Sequence, residues 1–301
     1  MPTKSLLEQA FDNCGEQLDR IIEAYQRIPP PNPKTVVTYE SGDVEEYEIS
    51  GQLRSNSIPN IEDVVGIEIG NAVTSIDEYA LYDSAWLQSV TIPASVSSIG
   101  YEAFSNTGPE PMAISVSLKN KVYDSRNGCN AIIRTSDDTL IVGSGNTIIP
   151  AGVTSIGDGA FGYCGSLTSI VIPNSVTSIG NSAFEVCPVL DSIIIPNSVS
   201  SIGYGAFLYC SMMTSVTIGN NVTTIGHNAF DGCGNLTSIT IPSSVTSIGD
   251  WAFGSCDSLT TFTMQGKTKE QVLAMNNVPW GLPNECYIIC TDGSISVETG
   301  E

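Results

Sequence analysis

Basic residues are scarce in this chain. Of 301 residues, 11 are Lys or Arg against 32 Asp or Glu, for a net charge of −21. Charged residues of both signs make up only 14%, against roughly a quarter in an ordinary soluble protein. The chain is acidic because bases are missing. Residues 135–266 contain no Lys or Arg and eight acids. A surface without cations cannot neutralise phosphates, which argues against nucleic acid or anionic lipid as a partner. Histidine is scarcer still, with His227 the only one. A Ser-His-Asp triad would have to use it, and a three-histidine zinc site is excluded. No apolar run approaches about 18 residues, so no membrane-spanning helix is expected. Met1-Pro2-Thr3-Lys4-Ser5-Leu6-Leu7 runs at once into Glu8, with Asp12 and Glu16 beyond, and does not read as a secretory leader. What the chain does have is 41% hydrophobic residues, enough to fill a core.

Those residues recur with a period of 23. Ile149-Pro150, Ile172-Pro173, Ile195-Pro196, Ile218-Gly219 and Ile241-Pro242 are spaced at that interval, as are Ile69-Gly70 and Ile92-Pro93. Each is followed by a Val, a Ser-Ile-Gly or close relative, and in most copies Ala-Phe, Cys and Leu. The Val column runs through Val73, Val96, Val153, Val176, Val199, Val222 and Val245. The Ile column is Ile76, Ile99, Ile156, Ile179, Ile202, Ile225 and Ile248, and the Phe column is Phe104, Phe161, Phe184, Phe207, Phe230 and Phe253. A unit this short cannot bury its own apolar side, whereas stacked units bury a continuous core. A β-rich repeat solenoid of α/β type follows. Within one unit, Leu167–Ile172 reads as a strand with Leu167, Ile170 and Ile172 inward and Ser169 and Val171 outward. Pro173 ends it. Val176–Ile179 is a second extended piece, and Gly180 is expected to permit the corner. Asn181–Cys187 has room for two helical turns, with Ala183, Phe184 and Cys187 facing the core.

The pattern L-x-S-I-x-I-P-x-S-V-x-S-I-G-x-x-A-F-x-x-C, found over 69–116 and 149–264, resembles the leucine-rich repeats of bacterial surface antigens, often called BspA-like or Treponema-type. The resemblance implies a leucine-rich-repeat arch and a role in surface adhesion. It says little of the ligand, because solenoids are scaffolds. Residues 117–148 interrupt the period. Apolar segments on either side of Thr135–Thr139 suggest a hairpin within one enlarged repeat.

The ends read as caps. Thr268 and Gln271 fit a capping box for a helix over Lys269–Met275, and Asp292-Gly293 marks a hairpin, so 265–301 closes the solenoid. At the other end, 34–68 is expected to cap the first coil, with a hairpin around Ser41-Gly42-Asp43. Residues 1–33 are read as a helix and a stiff proline spacer. Ser5 and Glu8 form a capping box for that helix, over about 6–28. Leu7, Phe11, Cys14, Leu18, Ile21, Tyr25 and Ile28 alternate four and three apart, which is a heptad seam. Either the helix packs back on the solenoid or it forms a separate oligomerising or docking stalk.

Candidate chemistry is sparse. Cys164, Cys187, Cys210, Cys233 and Cys256 recur one period apart, unlike the close spacing of zinc ligands, and read as a column of buried thiols. Cys286 and Cys290 fall on one face of a strand. Asp137-Asp138 is a paired-acid candidate for metal or acid–base work, weighed against a solvated turn. No phosphate loop, dinucleotide fingerprint or nucleophile elbow is present, so neither enzyme activity nor a cofactor is expected. The outward strand positions, Ser169, Val171, Ser192, Ile194, Ser215, Thr217, Ser238 and Thr240, form an uncharged ladder suited to a protein or glycan. Tyr204 and Trp251, near the glycine corner, are candidate interface anchors. The expected function is a non-catalytic adhesion or binding scaffold at a cell surface. The alternative is a structural or receptor-binding part of a phage virion, anchored by the N-terminal helix; a cytoplasmic location is the fallback.

If the heptad seam sets the oligomeric state, light scattering will give a larger mass for the full chain than for one beginning at Lys34. Identical monomer masses would remove the stalk.

Overall fold

A 23-residue coil returns each side chain to a place directly above its copy, so the sequence columns become columns in space. The structure, a computed structural model, describes residues 32–106 and 111–297. The expected helix over 6–28, with its seam from Leu7 to Ile28, lies outside the described residues.

The coils stack through parallel ladders on two sides. One joins Ser155–Ile156, Ser178–Ile179, Ser201–Ile202, Thr224–Ile225 and Ser247–Ile248 with like residues paired, such as Ser178 with Ser201 and Ile179 with Ile202. The other pairs Ser192–Ile194 with Ser215–Thr217, and Ser238–Ile241 with Thr261–Met264. The expected strand Leu167–Ile172 is not part of this second ladder, although Leu167 and Ile172 are buried and Ser169 and Val171 exposed as the alternation requires. Nearer the N-terminus the sheet order is Val44–Tyr47, Thr35–Tyr39, Val64–Glu68, Ser89–Ile92, Ala113–Val116. The first two strands form the hairpin over residues 40–43. Parallel pairing already begins at Gly51–Leu53, which aligns with Val73–Ile76, so a coil starts inside the segment read as a cap.

The enlarged repeat ends the first ladder in antiparallel strands. Tyr123–Asp124, Ile132–Arg134 and Thr139–Val142 pair antiparallel, and Thr139–Val142 then joins Ser155–Ile156 in parallel. Tyr123 Oη accepts the Ile99 N–H at 3.1 Å. Asn120, buried, donates to the carbonyls of Pro93 and Val96 at 2.8 and 2.9 Å. At the far end the helix Lys269–Leu273 carries a reciprocal Thr268–Gln271 capping box, and Tyr287–Cys290 pairs antiparallel with Gly293–Ser296.

The two helical turns expected at Asn181–Cys187 do not form. Ser182 and Val186 adopt φ of 50°, a left-handed conformation that L-residues avoid in helices. The reason lies in the hydrogen bonds. The N–H groups of Ser182, Phe184 and Val186 donate to Tyr204, Ala206 and Leu208 of the next coil, each at 2.7 Å. The segment bonds between coils instead of along itself, and equivalent bonds recur from Gly159, Phe161 and Tyr163 and from Gly205, Phe207 and Tyr209. Ala183, Phe184 and Cys187 still face inward, fully buried. The Phe column forms a stack: Phe161, Phe184, Phe207, Phe230 and Phe253 have centroids 5.0–5.4 Å apart with rings within 8° of parallel. Such offset pairs add about 0.5–1.5 kcal/mol each beyond burial. Phe262 and Trp280 close the stack at the C-terminal end.

Gly180 serves the corner differently from the expectation. Its φ is not left-handed. A Cβ there would lie 2.5 Å from Asp158 Oδ1 and 2.7 Å from the Asp158 nitrogen of the preceding coil, so glycine is required for close approach.

The cysteine column is structural. Cys187, Cys210, Cys233 and Cys256 are fully buried, while Cys164 is half-buried. Each buried Sγ donates to a phenylalanine carbonyl of the coil before it: Phe161, Phe184, Phe207 and Phe230, at 3.1–3.4 Å. Burial pushes the Cys256 thiol up to about 12 and raises those of Cys187 and Cys233 well above the usual range.

Two measurements follow. A thiol reagent will modify Cys164 and Cys290 in the native protein, and Cys187, Cys210, Cys233 and Cys256 only on unfolding; rapid native labelling of those four would refute the packing. Gly143→Ala will lower the unfolding free energy by about 1–3 kcal/mol through overpacking, and with it the denaturation midpoint, because its Cβ would lie 2.1 Å from the Phe161 ring, which is stacked on Phe184. An unchanged midpoint would contradict that contact.

Candidate binding surfaces

The paired acids are the first candidate to consider. Asp137 and Asp138 sit in the turn between Ile132–Arg134 and Thr139–Val142, and each holds an arginine. Arg134 Nη2 lies 2.7 Å from Asp137 Oδ2, and Arg126 Nη1 lies 2.7 Å from Asp138 Oδ1. The Arg134 guanidinium beside Asp137 holds its carboxyl below the usual range. Both carboxylates are engaged in fixing the hairpin. Among the described residues no cluster of His, Cys, Asp and Glu is arranged to hold a metal.

His227 is exposed, and its Nδ1 accepts the Asp250 N–H at 3.0 Å. Asp158 accepts the Asn181 N–H at 2.7 Å, and Asn181 accepts the Tyr204 N–H at 2.9 Å. The variable column after the glycine therefore supplies acceptors that stitch one coil to the next. A recurrence of Asp, Asn and His at one repeat position is the sequence signal for that role.

The two ladders use their hydroxyls differently. On the ladder through Ile156 and Ile179, Thr177, Ser200, Thr223 and Thr246 each donate to the carbonyl one coil back, at 3.0–3.3 Å. Those hydroxyls are already committed. On the other side of the coil, Ser169, Ser192, Ser215, Thr217, Ser238 and Thr240 point outward, all exposed except half-buried Ser192. Among the described residues none of these hydroxyls bonds to another protein group.

On this open face the structure adds Ile148 to the outward aliphatic residues read from the sequence. Val171 is 83% exposed and Ile194 69%. Ile148, one period before Val171, is 76% exposed. Three β-branched aliphatic side chains thus occupy one outward column in successive coils, and the column continues as Thr217 and Thr240. Ile148 belongs to the end of the enlarged repeat, where the period is hidden; counting 23 residues back from Val171 finds it. The outward positions from Ser89 and Thr91 to Thr261 and Thr263 bear no charge.

Tyr204 and Trp251 lie elsewhere, following the glycines that end the first ladder. They are 52% and 63% exposed, and Trp251 adopts φ of 55°. The structure does not join them to the hydroxyl face in one site. Near the enlarged repeat, Tyr101, Glu102, Arg134, Gly143, Asp158 and Gly180 contribute to the lining of a groove of about 550 Å³. Among the described residues, no helix is long and apolar enough to cross a membrane.

With this geometry in place, comparison with known proteins is informative at the level of family. No curated protein sequence matches the chain. Among solved structures, a leucine rich cell surface protein of Faecalibacterium prausnitzii A2-165 is 29% identical over 65% of this chain, with a TM-score of 0.47. The chain spans 46% of that protein's length. A leucine-rich repeat protein of Eubacterium ventriosum is 20% identical, covering 77% of this chain and 82% of its own, at a TM-score of 0.47. One from Bacteroides ovatus is 23% identical, covering 77% and 64%, at 0.42. The profile described as BspA type Leucine rich repeat region (6 copies) matches residues 52–134 and 144–270. Those residues carry the coils, the Phe stack and the cysteine column, and the chain belongs to the BspA-type leucine-rich repeat family.

Proposed function

We propose that this chain is a non-catalytic scaffold, displayed at a surface, that docks a protein partner on the open strand face. The observation that carries this reading is the column of Ile148, Val171 and Ile194, three large aliphatic groups held in water on an otherwise hydroxyl-lined and uncharged face. Aliphatic side chains offer a glycan hydroxyl no hydrogen bond. They do offer a protein apolar area, worth about 1.5–3 kcal/mol for each such side chain fully buried, less the costs of association. The surrounding Ser and Thr hydroxyls supply a polar rim of the kind protein interfaces use. Ile194 sits in a strand paired with Ser215–Thr217, which limits the ordering cost at that end of the column. Surface display is the role that the leucine-rich-repeat resemblance implies.

The test is quantitative binding to a panel of surface glycoproteins, before and after enzymatic deglycosylation. Binding is expected to survive deglycosylation and to weaken at least about tenfold, or 1.4 kcal/mol, in Val171→Glu and Ile194→Glu. Both sites are exposed, so the fold is expected to persist, which thermal unfolding checks. Binding that ignores both substitutions, or that disappears with the glycans, would overturn this assignment.

A further inference from the structure

A second surface has a different chemistry. The turn segments of the early coils carry tyrosines at Tyr79, Tyr82, Tyr101 and Tyr163. Their rings form a connected path of edge-to-face contacts: Tyr101 to Tyr79 at 6.2 Å, Tyr79 to Tyr82 at 5.7 Å, and Tyr82 to Tyr163 at 6.1 Å. Tyr79 and Tyr101 are exposed at 43% and 38%, and Tyr82 and Tyr163 are half-buried. The repeat does not bring these residues together by itself. Because residues 117–148 lack the turn segment, the coil bearing Tyr101 meets the one bearing Gly159, where a Cβ would lie 3.1 Å from the Tyr101 ring.

Carboxylates surround the rings. Burial and the neighbouring charges of Glu78, Glu102 and Glu185 raise the Tyr79 phenol, and Tyr163 responds to burial, Glu185 and Glu102. Among the described residues no cation pairs with Glu78, Glu102 or Glu185. The sequence has no Lys or Arg between Arg54 and Lys119. Electron-rich ring faces beside carboxylates that have no cationic partner favour a cation that can lie against a ring and keep a charge partner. The path extends over three successive ring contacts across several coils. A lone quaternary ammonium would meet only part of it, whereas an extended chain with several cationic side chains would follow it.

We propose that this tyrosine–glutamate surface binds a basic segment of a protein partner, with Arg or Lys side chains seated against Tyr79, Tyr101 and Tyr163 and paired with Glu102 and Glu185. It lies on the turn segments, not the strand face, and stands independently of the function proposed above.

The probe is a short arginine–serine repeat peptide, titrated calorimetrically into the full chain at physiological salt. Tyr79→Leu with Tyr163→Leu leaves the net charge unchanged and is expected to weaken binding about fivefold. Glu102→Gln with Glu185→Gln is expected to do at least as much. Asp257→Asn with Glu270→Gln, which removes the same charge at the other end, is expected to cost less than twofold. Tyr79→Phe with Tyr163→Phe should retain affinity, which separates lost rings from lost folding. An unaffected leucine pair, or an equal loss in the distant acid pair, would show a diffuse acidic field and overturn the site. Capture of phosphatidylcholine vesicles without any binding of the peptide would overturn the protein assignment.

Discussion

Everything in this molecule depends on coils lying one ladder spacing apart. Parallel strands set that distance at about 4.8 Å, and the other columns must accept it. Phenylalanine rings do so as an offset stack at 5.0–5.4 Å. Gly180 does so by having no Cβ to strike Asp158. The cysteines turn it to use by bonding each thiol to a carbonyl of the preceding coil. The same distance accounts for the scarcity of charge. A side chain in a column has its own copies as neighbours, and repeated like charges at that separation would repel. In residues 135–266 no acid lies 23 residues from another: Asp158 is followed by Asn181, and Asp250 is preceded by His227. The low charge content is a consequence of stacking as much as a statement about partners.

The buried columns were legible because burial is what a repeat preserves. Val, Ile, Phe and Cys recur at one position each, and every one of these columns faces the core apart from the half-exposed Ile99 and Cys164 at its edges. The hydrogen bonds of the turn segment were not legible. Ala183, Phe184 and Cys187 face one side in a helix and equally in the observed turn, so side-chain spacing does not separate the two. The choice is made by peptide groups that find carbonyls at 2.7 Å in the next coil, and those partners lie 22 residues away. Inter-coil bonding offsets the strain of left-handed Ser182 and Val186. The same limit explains the missed role of the Asp158 column, whose acceptors serve backbone one coil on.

Both proposed surfaces border the interruption of the repeat. Over residues 117–148 one ladder ends in antiparallel strands and the turn segment is omitted. On the strand side this sets Ile148 at the head of the aliphatic column. On the turn side it brings Tyr82 within reach of Tyr163 across two coils. The aliphatic column keeps the period, whereas the tyrosine grouping draws residues from positions that are not equivalent in the repeat and is not visible in an alignment of the regular copies.

That placement has a physical consequence for recognition. A regular solenoid presents the same surface every coil, and a ligand that fits one register fits the next with nearly the same energy. Register is weakly specified on such a face, as on any uniform sheet. The Ser and Thr columns beyond Thr217 are of this kind, since Ser215, Ser238 and Thr261 offer almost identical groups. Ile148, Val171 and Ile194 break the degeneracy, because sliding a partner by two coils toward the C-terminus exchanges aliphatic contacts for threonine hydroxyls. Each Ile or Val left in water instead of buried forfeits about 1.5–3 kcal/mol, or at least tenfold in affinity. On the proposed reading the repeated columns supply rigidity and length, and the break from aliphatic to threonine side chains supplies the address at which a partner would stop.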